Sequence, residues 1–210
     1  MNKAAMHILS IGLNHTSAPI NLRERIIFGE EQIRASLSRL SCGHLSGNMA
    51  EMVILSTCNR IEIYAVSSQK IFSELEIFLS EARGINRDEF TPHLYHHKDV
   101  DAVRHLFNVA AGLDSLVVGE PQILGQVTRA LELARGQNMA GPVLNRLFQS
   151  AIHAGKRTRT ETAISRNPAS VSSLAASLSE RVVHHLADAQ IVILGAGEMA
   201  ELAVEALRKR

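Results

Sequence analysis

The stretch MVILSTCNRIEIYA, residues 52–65, decides the fold of this chain of 210 residues. Its first part, Met52–Leu55, is a continuous apolar run, which is typical of a buried strand. After the polar segment Ser56–Arg60, the apolar residues Ile61, Ile63 and Ala65 recur at every second position, which is the pattern of another strand. Two strands joined by a short polar segment predict a β-hairpin with a turn at its tip.

The residues on both sides of this hairpin predict helices and two further strands. Alternation over residues 9–13 indicates a first strand, and helical spacing indicates one helix from Glu30 to Leu40 and another that begins at Ile71 and ends near Gly84. A weaker pattern at His93–His97 is the candidate for a fourth strand. The resulting order β-α-β-β-α-β predicts an α+β domain with a split, ferredoxin-like sandwich.

From Asp99 onward the pattern changes to successive helices. Asp99 is a candidate N-cap and Gly112 a candidate C-cap of the first of them, and Pro121 suits the first turn of the next. A helix over about residues 171–187 leads to a predicted buried strand at Ile191–Leu194. With the helix that follows, this strand would form the first β-α unit of a Rossmann-like domain.

Length and composition describe a chain that can bury a core without disulfides. With 46% hydrophobic and 20% charged residues, the composition is typical of soluble globular proteins.

A polar segment that ends at Pro168 divides the chain into a predicted domain of residues 1–163 and a linker helix with the start of a second domain, residues 164–210. No apolar run approaches the roughly 20 residues that span a bilayer, and we interpret the N-terminus as a strand rather than a leader.

Charge and cysteine content limit which partners and which cellular setting we expect for the chain. Lys and Arg number 22 against 21 Asp and Glu, so a polyanionic partner would have to be met by a local patch. Lys156, Arg157 and Arg159 are the candidates for such a patch, although a solvated helix end explains the same three residues. Cys42 and Cys58 are too few for a disulfide framework, and we expect a reducing, cytoplasmic setting.

Cys58 is the candidate nucleophile. A thiol in a turn is accessible, and Arg60 two residues further on would favour the reactive thiolate. A buried, inert cysteine is the alternative, and the residues alone leave both interpretations open. Cys42 matches no zinc-ligand spacing, and we predict no metal site.

Polar groups further along the chain could serve the same site. His105 follows Asp101 by four helical residues, so the carboxylate could orient an imidazole that transfers protons. The alternative is an ordinary surface histidine. Gln122 and Gln126 are also four residues apart and share a helix face that could bind a polar ligand, an arrangement that capping and solvation also explain.

The segment GAGEMA, residues 195–200, has the pattern of a dinucleotide-binding fingerprint between a predicted strand and a helix. The first glycine would make the tight turn, the second would let the backbone approach a pyrophosphate, and Ala200 would allow close packing of helix on strand. A plain strand-turn-helix is the alternative. The acidic residue that helps to distinguish NAD from NADP would lie beyond Arg210, so the pattern does not choose between them.

Six blocks of sequence together resemble the glutamyl-tRNA reductase family. They are GLNHTSAP (residues 12–19), LRER (22–25), LSTCNR (55–60), GLDS (112–115), GEPQILGQV (119–127) and KRTRTET (156–162). They occur in the order of the family, and STCNR and GEPQILGQ are the most specific of them. On this resemblance the chain is identified as a member of the family.

The resemblance implies an activity and a set of site residues. Cys58 would attack the ester that joins glutamate to tRNA, and NADPH would reduce the resulting thioester to glutamate-1-semialdehyde, the first step of five-carbon tetrapyrrole (porphyrin) biosynthesis. His105 would assist catalysis, and Arg60 would bind the free carboxylate of the substrate. The implied glutamyl pocket comprises Thr57, Cys58, Asn59, Arg60, Ser115, Glu120, Pro121, Gln122 and Gln126, and the implied NADPH loop comprises Gly195, Ala196, Gly197, Glu198, Met199 and Ala200.

The resemblance also implies parts and partners outside these 210 residues. The rest of the nucleotide domain and the C-terminal domain that forms homodimers in the family would follow Arg210, so we expect this fragment to form the thioester without reducing it efficiently. Glutamyl-tRNA and the downstream semialdehyde aminotransferase are the implied partners, and no membrane is among them. Two alternatives stay open: a non-catalytic tRNA-binding or regulatory module, and a nicotinamide-dependent dehydrogenase of a small aldehyde.

Overall fold

The structure is a computed structural model that describes residues 5–41, 49–165, 171–183, 188–195 and 197–208. Cys42 and the loop predicted around it lie outside these ranges. Within them the chain forms four strands and nine α-helices, which confirms the predicted α+β class. Among these helices, none combines the length and the apolar character needed to cross a bilayer.

The four strands form one antiparallel sheet in the order β2-β3-β1-β4. They are β1 (His7–Asn14), β2 (Met49–Ser56), β3 (Arg60–Ser67) and β4 (Tyr95–Lys98). The predicted hairpin is confirmed as β2 and β3, with Ser56 opposite Ile61. The fourth strand begins two residues later than the predicted segment.

Nine α-helices lie between and after these strands in the described residues. They are α1 (Ile20–Ile26), α2 (Glu30–Arg39), α3 (Phe72–Arg83), α4 (Arg87–Phe90), α5 (Val100–Ala111), α6 (Gln122–Gly136), α7 (Pro142–Glu161), α8 (Val171–Val182) and α9 (Glu198–Arg208). The sequence patterns did not indicate α1 and α4, because such short helices have too few turns to produce a clear periodicity.

Strand β3 is buried along its whole length, on both faces of the sheet. One face carries the predicted apolar residues Ile61 and Ile63, each 1% exposed. The other face carries Glu62 and Tyr64, which α5 and α7 cover; the Tyr64 ring meets Phe148 of α7 edge-on at 5.3 Å between centroids. A layer of polar side chains is therefore enclosed between the sheet and these helices.

The helix ends follow the predictions in part. Gly84 and Gly112 end α3 and α5 in the left-handed conformation, with φ of 63° and 78°, which only glycine adopts readily. Asp99 takes the N-cap position of α5, but its carboxylate does not cap that helix. It accepts instead from the Ile8 N–H at 3.1 Å and lies 3.0 Å from His7 Nδ1, because the pairing of β4 with β1 places it beside those residues.

The buried strand predicted at Ile191–Leu194 is wrong for this chain. Residues 190–195 form no strand, and Val192 and Leu194 are 82% and 95% exposed. A strand needs a neighbour to satisfy its backbone hydrogen bonds, and the four-stranded sheet formed by the described residues does not extend to this segment. The helix predicted after it is confirmed as α9, which packs against α8.

Candidate active site

Cys58 lies at the tip of the β2–β3 hairpin and is exposed to solvent. Thr57 closes the turn: its N–H donates to the Arg60 carbonyl at 2.9 Å, and its hydroxyl accepts from the N–H groups of Asn59 and Arg60, both at 3.1 Å. Arg23 of α1 holds the turn from outside, donating to the Cys58 carbonyl at 3.1 Å and to Asn59 Oδ1 at 3.3 Å. The thiol is accessible and its backbone is fixed, so the buried alternative for Cys58 does not apply.

The surroundings of Cys58 raise the pKa of its thiol. Partial loss of hydration in the turn contributes most, the negative charge of Glu120 adds to it, and Arg23 acts in the opposite direction. The cation that favours the thiolate is therefore Arg23 rather than Arg60. Arg60 is 1% exposed, and its charge is taken up by other partners.

Arg60 opens β3 and belongs to a buried charged cluster. Its Nη1 donates to Glu62 Oε1 at 2.6 Å, and its Nη2 donates to the Asp114 carbonyl oxygen and forms an ion pair with Asp114 Oδ2 at 2.9 Å. Glu62 is fully buried and also accepts from the hydroxyls of Tyr64 and Tyr95, at 2.6 and 2.7 Å. Burial by itself would raise the pKa of Glu62, but the surrounding cations and hydroxyls outweigh it and hold that pKa far below its ordinary value.

His105 of α5 contacts the buried group of Arg60, Glu62 and Asp114. We call these four residues the Arg60 cluster. The His105 Nε2 lies 2.8 Å from Glu62 Oε1, and the His105 ring lies 4.6 Å from that of His97. Burial lowers the pKa of His105, but the Glu62 carboxylate outweighs burial and leaves the pKa raised. The prediction that Asp101 orients His105 is wrong: Asp101 is exposed and bonds Arg104 at 2.7 Å, whereas the sheet brings Glu62 to the imidazole.

The loop between α5 and α6 supplies the second carboxylate of the cluster. Gly112 and Gly119 both have positive φ, and they lie against each other, with the Gly119 N–H donating to the Gly112 carbonyl at 2.9 Å. An added Cβ at Gly112 would lie 3.1 Å from Gly119 Cα, so the loop can close this tightly only around glycine. The closed loop places Asp114 on Arg60.

The predicted basic patch on α7 is not a single surface. Arg159 turns inward and donates to the carbonyl oxygens of Ala110, in the last turn of α5, and of Glu120, just before α6, at 2.9 and 3.0 Å. Arg157 instead pairs with exposed Glu161 at 2.8 Å. Arg159 thus supports the loop that carries Asp114.

Two polar atoms near the Arg60 cluster have no hydrogen-bond partner among the described residues. They are the hydroxyl of Ser115, a residue 9% exposed, and Nδ1 of His15. Burial and the Arg60 charge lower the pKa of His15, which favours its neutral ring. Because buried polar atoms are normally hydrogen-bonded, both are suited to a polar ligand.

Gly12 of β1 makes room for the cluster. It lies opposite Glu62 in the sheet, and an added Cβ would come within 2.6 Å of the Ile61 carbonyl oxygen and 2.8 Å of Glu62 Cγ. The same Cβ would lie 3.0 Å from the Tyr95 ring. This close approach explains a glycine inside a strand, where side chains are normally favoured.

The remaining predicted pocket residues lie around the start of α6. Glu120 is half-buried, and burial raises its pKa. Pro121 is exposed, and Gln122 and Gln126 are half-buried. Gln126 lines a cavity of about 160 Å³ that Ser56, next to the Cys58 turn, also lines.

Glu62, Asp114 and Arg23 were not among the predicted site residues. Glu62, Asp114 and His105 each offer a ligand atom within 4.8 Å of the others, a spacing that a metal ion could use. The Arg60 guanidinium already bonds both carboxylates, so we assign it as their counter-charge. A glutamate inside an apolar strand was the available signal for Glu62, whereas Arg23 was visible only within the LRER block.

The predicted NADPH loop is described except for Ala196. Apart from neighbours in the chain, no heavy atom of the described residues lies within 4 Å of the Cβ position at Gly195 or Gly197, so their backbone is open to a ligand. Residues 198–200 begin α9, and the Ala200 N–H donates to the Gly197 carbonyl at 2.8 Å. An open glycine turn before a helix N-terminus fits a phosphate group.

Fold and site together define an α+β domain that presents an exposed cysteine beside a buried cluster of arginine, carboxylates and histidine. A sequence model of the family "Glutamyl-tRNAGlu reductase, N-terminal domain" matches residues 11–162. The chain therefore belongs to the glutamyl-tRNA reductase family.

Individual relatives agree with this assignment. Glutamyl-tRNA reductases of Syntrophotalea carbinolica and Priestia megaterium are 46% and 42% identical over 204 residues, which is 96% of this chain and 45% of each relative. The solved structure of glutamyl-tRNA reductase from Methanopyrus kandleri is 32% identical with a TM-score of 0.67, over 96% of this chain and 46% of that one. The chain thus spans a little less than half the length of these relatives.

Proposed function

We propose that this chain carries the thiol step of a glutamyl-tRNA reductase, in which Cys58 captures the glutamyl group of glutamyl-tRNA. The thiolate attacks the ester carbonyl carbon, a C–S bond forms, the C–O bond to the tRNA ribose breaks, and the departing hydroxyl takes up a proton. The observation that carries this proposal is the exposed Cys58 thiol in a turn that leads directly into Arg60. Burial and Glu120 raise the pKa of the thiol, and Arg23 beside the turn opposes that rise and so favours the reactive thiolate.

The Arg60 cluster would recognise the glutamyl side chain. The guanidinium fork of Arg60 matches a carboxylate, and the unpartnered Ser115 hydroxyl supplies a further polar contact. The pKa of His105 is raised because the Glu62 carboxylate outweighs burial, and this favours a protonated ring near the site. The rest of the proposed pocket is Thr57, Asn59, Glu120, Pro121, Gln122 and Gln126.

NADPH, when bound, supplies the hydride that converts a thioester to an aldehyde. Gly195, Ala196, Gly197, Glu198, Met199 and Ala200 would hold its pyrophosphate at the N-terminus of α9. The open backbone at Gly195 and Gly197 supports this assignment. Because Ile191–Leu194 is exposed and not part of the sheet, we propose that the 210 residues form the thioester but reduce it poorly.

The finer features of the fold and of the whole protein belong to the same proposal. The strand order, with helices between β1 and β2 and between β3 and β4, supports a split ferredoxin-like domain over residues 1–163, with the start of a Rossmann-like domain in residues 164–210. Homodimer formation, a cytoplasmic location, a place in porphyrin biosynthesis and cooperation with a semialdehyde aminotransferase are proposed for the complete enzyme.

Intact-mass spectrometry tests the thiol step on the chain as it is. Incubation with glutamyl-tRNA should add one glutamyl group to the wild-type chain, and peptide mapping should place it on Cys58. Cys58→Ser should show no thioester, whereas Cys42→Ser is the matched control and should behave as wild type. An adduct that survives Cys58→Ser would contradict the proposal.

The two alternatives give different results in the same experiment. A non-catalytic tRNA-binding module would bind glutamyl-tRNA without any adduct. A dehydrogenase of small aldehydes would form thioesters from simple acyl donors with no dependence on the tRNA. Of the three assignments, only the reductase requires both an exposed thiol and a buried arginine. The exposed Cys58 and the buried Arg60 therefore favour the reductase assignment.

A further inference from the structure

We propose that Asp114 is an internal substitute for the side-chain carboxylate of the substrate: it occupies Arg60 in the free chain and leaves Arg60 when the glutamyl group binds. This inference rests on the proposed function, because it assumes that Arg60 receives the substrate carboxylate. It adds a specificity-determining role for Asp114, which the predicted pocket did not include.

The geometry around Arg60 shows which contact an incoming carboxylate would meet. The Arg60 Nη2 donates to the main-chain carbonyl of Asp114, and it also forms an ion pair with the Asp114 carboxylate, 2.9 Å away. The Nη1 lies against Glu62 at 2.6 Å. Since Arg60 is 1% exposed, another carboxylate gains the Nη2 side of the guanidinium only by replacing Asp114.

The charges of the cluster make this replacement necessary. Glu62 and Asp114 already match the charges of Arg60 and of a protonated His105, so a third carboxylate added to the cluster would leave it with excess negative charge. One of the two resident carboxylates has to leave, and it needs water or another partner when it does so.

Asp114 is the carboxylate that can move. Its side chain is 36% exposed, and besides Arg60 it accepts from Asn14 Nδ2 at 3.1 Å. Glu62, in contrast, is unexposed and also accepts from Tyr64, Tyr95 and His105. Rotation of the Asp114 side chain would expose its carboxylate to solvent while the main-chain contact to Arg60 could stay in place.

The alternative role for Asp114 is a permanent anchor that orients Arg60. The two roles predict opposite effects of removing its charge by Asp114→Asn. An anchor that is lost weakens the binding of a carboxylate, whereas a competitor that is lost strengthens it. Removing a partly exposed ion pair of this kind should tighten binding by about three- to five-fold.

Calorimetry with glutarate tests the inference without depending on chemistry at Cys58. We expect glutarate to bind the 210-residue chain, Asp114→Asn to lower its dissociation constant by about three- to five-fold, and Arg60→Lys to abolish binding. The uncharged analogue glutaramide should not bind. Asp101→Asn is the matched control, since this exposed carboxylate bonds Arg104 and should leave glutarate binding unchanged.

Each result decides between the two roles. Weaker or unchanged glutarate binding by both Asp114→Asn and Asp114→Ala would overturn the inference, as would the absence of any glutarate binding to folded wild-type chain; circular dichroism confirms that each variant is folded. The proposed function fails separately, if Cys58 forms no adduct with glutamyl-tRNA. If the adduct forms, Asp114→Asn should also lower the half-saturating concentration of glutamyl-tRNA and leave the acylation rate at saturation unchanged.

Discussion

Replacing Glu62 by glutamine tests whether the Arg60 cluster is an ionic core on which the fold depends. Glu62 is unexposed and accepts four hydrogen bonds, two of them from Arg60 and His105. Glutamine keeps the shape but removes the charge, so Arg60 stays buried with Asp114 as its only carboxylate among the partners described. Removing one partner of a buried ion pair typically costs about 3–5 kcal/mol, and because Asp114 remains we expect about 3 kcal/mol.

Urea unfolding followed by circular dichroism measures this loss in the free energy of unfolding. Glu30→Gln is the control, because Glu30 and Arg129 form an exposed pair between α2 and α6 whose loss should barely move the midpoint. The double variant Arg60→Met with Glu62→Leu should be less destabilised than the sum of Arg60→Met and Glu62→Leu, since neither Arg60 nor Glu62 is then buried without the other. A loss for Glu62→Gln as small as that for Glu30→Gln would refute the reasoning.

The loss of stability in Glu62→Gln should also depend on pH. The pKa of Glu62 is held below its ordinary value of 4.5 in the folded chain, so its charge stabilises the fold fully above that pH. This contribution is lost as the pH falls below 4.5 toward the folded pKa. The difference in stability between wild type and Glu62→Gln should therefore shrink in acid, and a difference that stays constant there would contradict the assignment.

Three further predictions follow from single contacts. Arg23→Ala should raise the pKa of Cys58 and slow its alkylation by iodoacetamide near neutral pH, whereas Arg25→Ala, two residues further along α1, should not. Equal rates for wild type and both variants would exclude Arg23 as the activating cation. Gly12→Ala should lower the free energy of unfolding by roughly 1–3 kcal/mol in urea titrations, and an unchanged midpoint would show that the strand has room for a side chain. His105→Asn should destabilise the fold most below pH 6.5, and progressively less as the pH rises through the raised folded pKa of His105. Thermal unfolding at several pH values measures this loss of stability, and a loss that grows with pH would contradict the prediction.

The strands and helices of the domain could be predicted from local sequence because their patterns follow from backbone geometry. Alternation over residues 9–13 and 61–65 marked β1 and β3, and the polar residues between two apolar runs marked the turn that carries Cys58. Gly112 correctly predicted the end of α5, because few other residues adopt a positive φ at low cost. Each of these features depends on residues that are close together along the chain.

The partners of the buried charges were decided only by the tertiary structure. Local spacing paired His105 with Asp101 and left Arg60 free for a ligand, but the sheet brings Glu62 to both of them, and the loop after α5 brings Asp114 to Arg60. Likewise, an apolar run at Ile191–Leu194 has the composition of a strand but lies outside the sheet. The physical reason is that a backbone conformation is chosen by neighbouring residues, whereas a buried charge or an unpaired strand edge is satisfied by whatever distant segment packs against it.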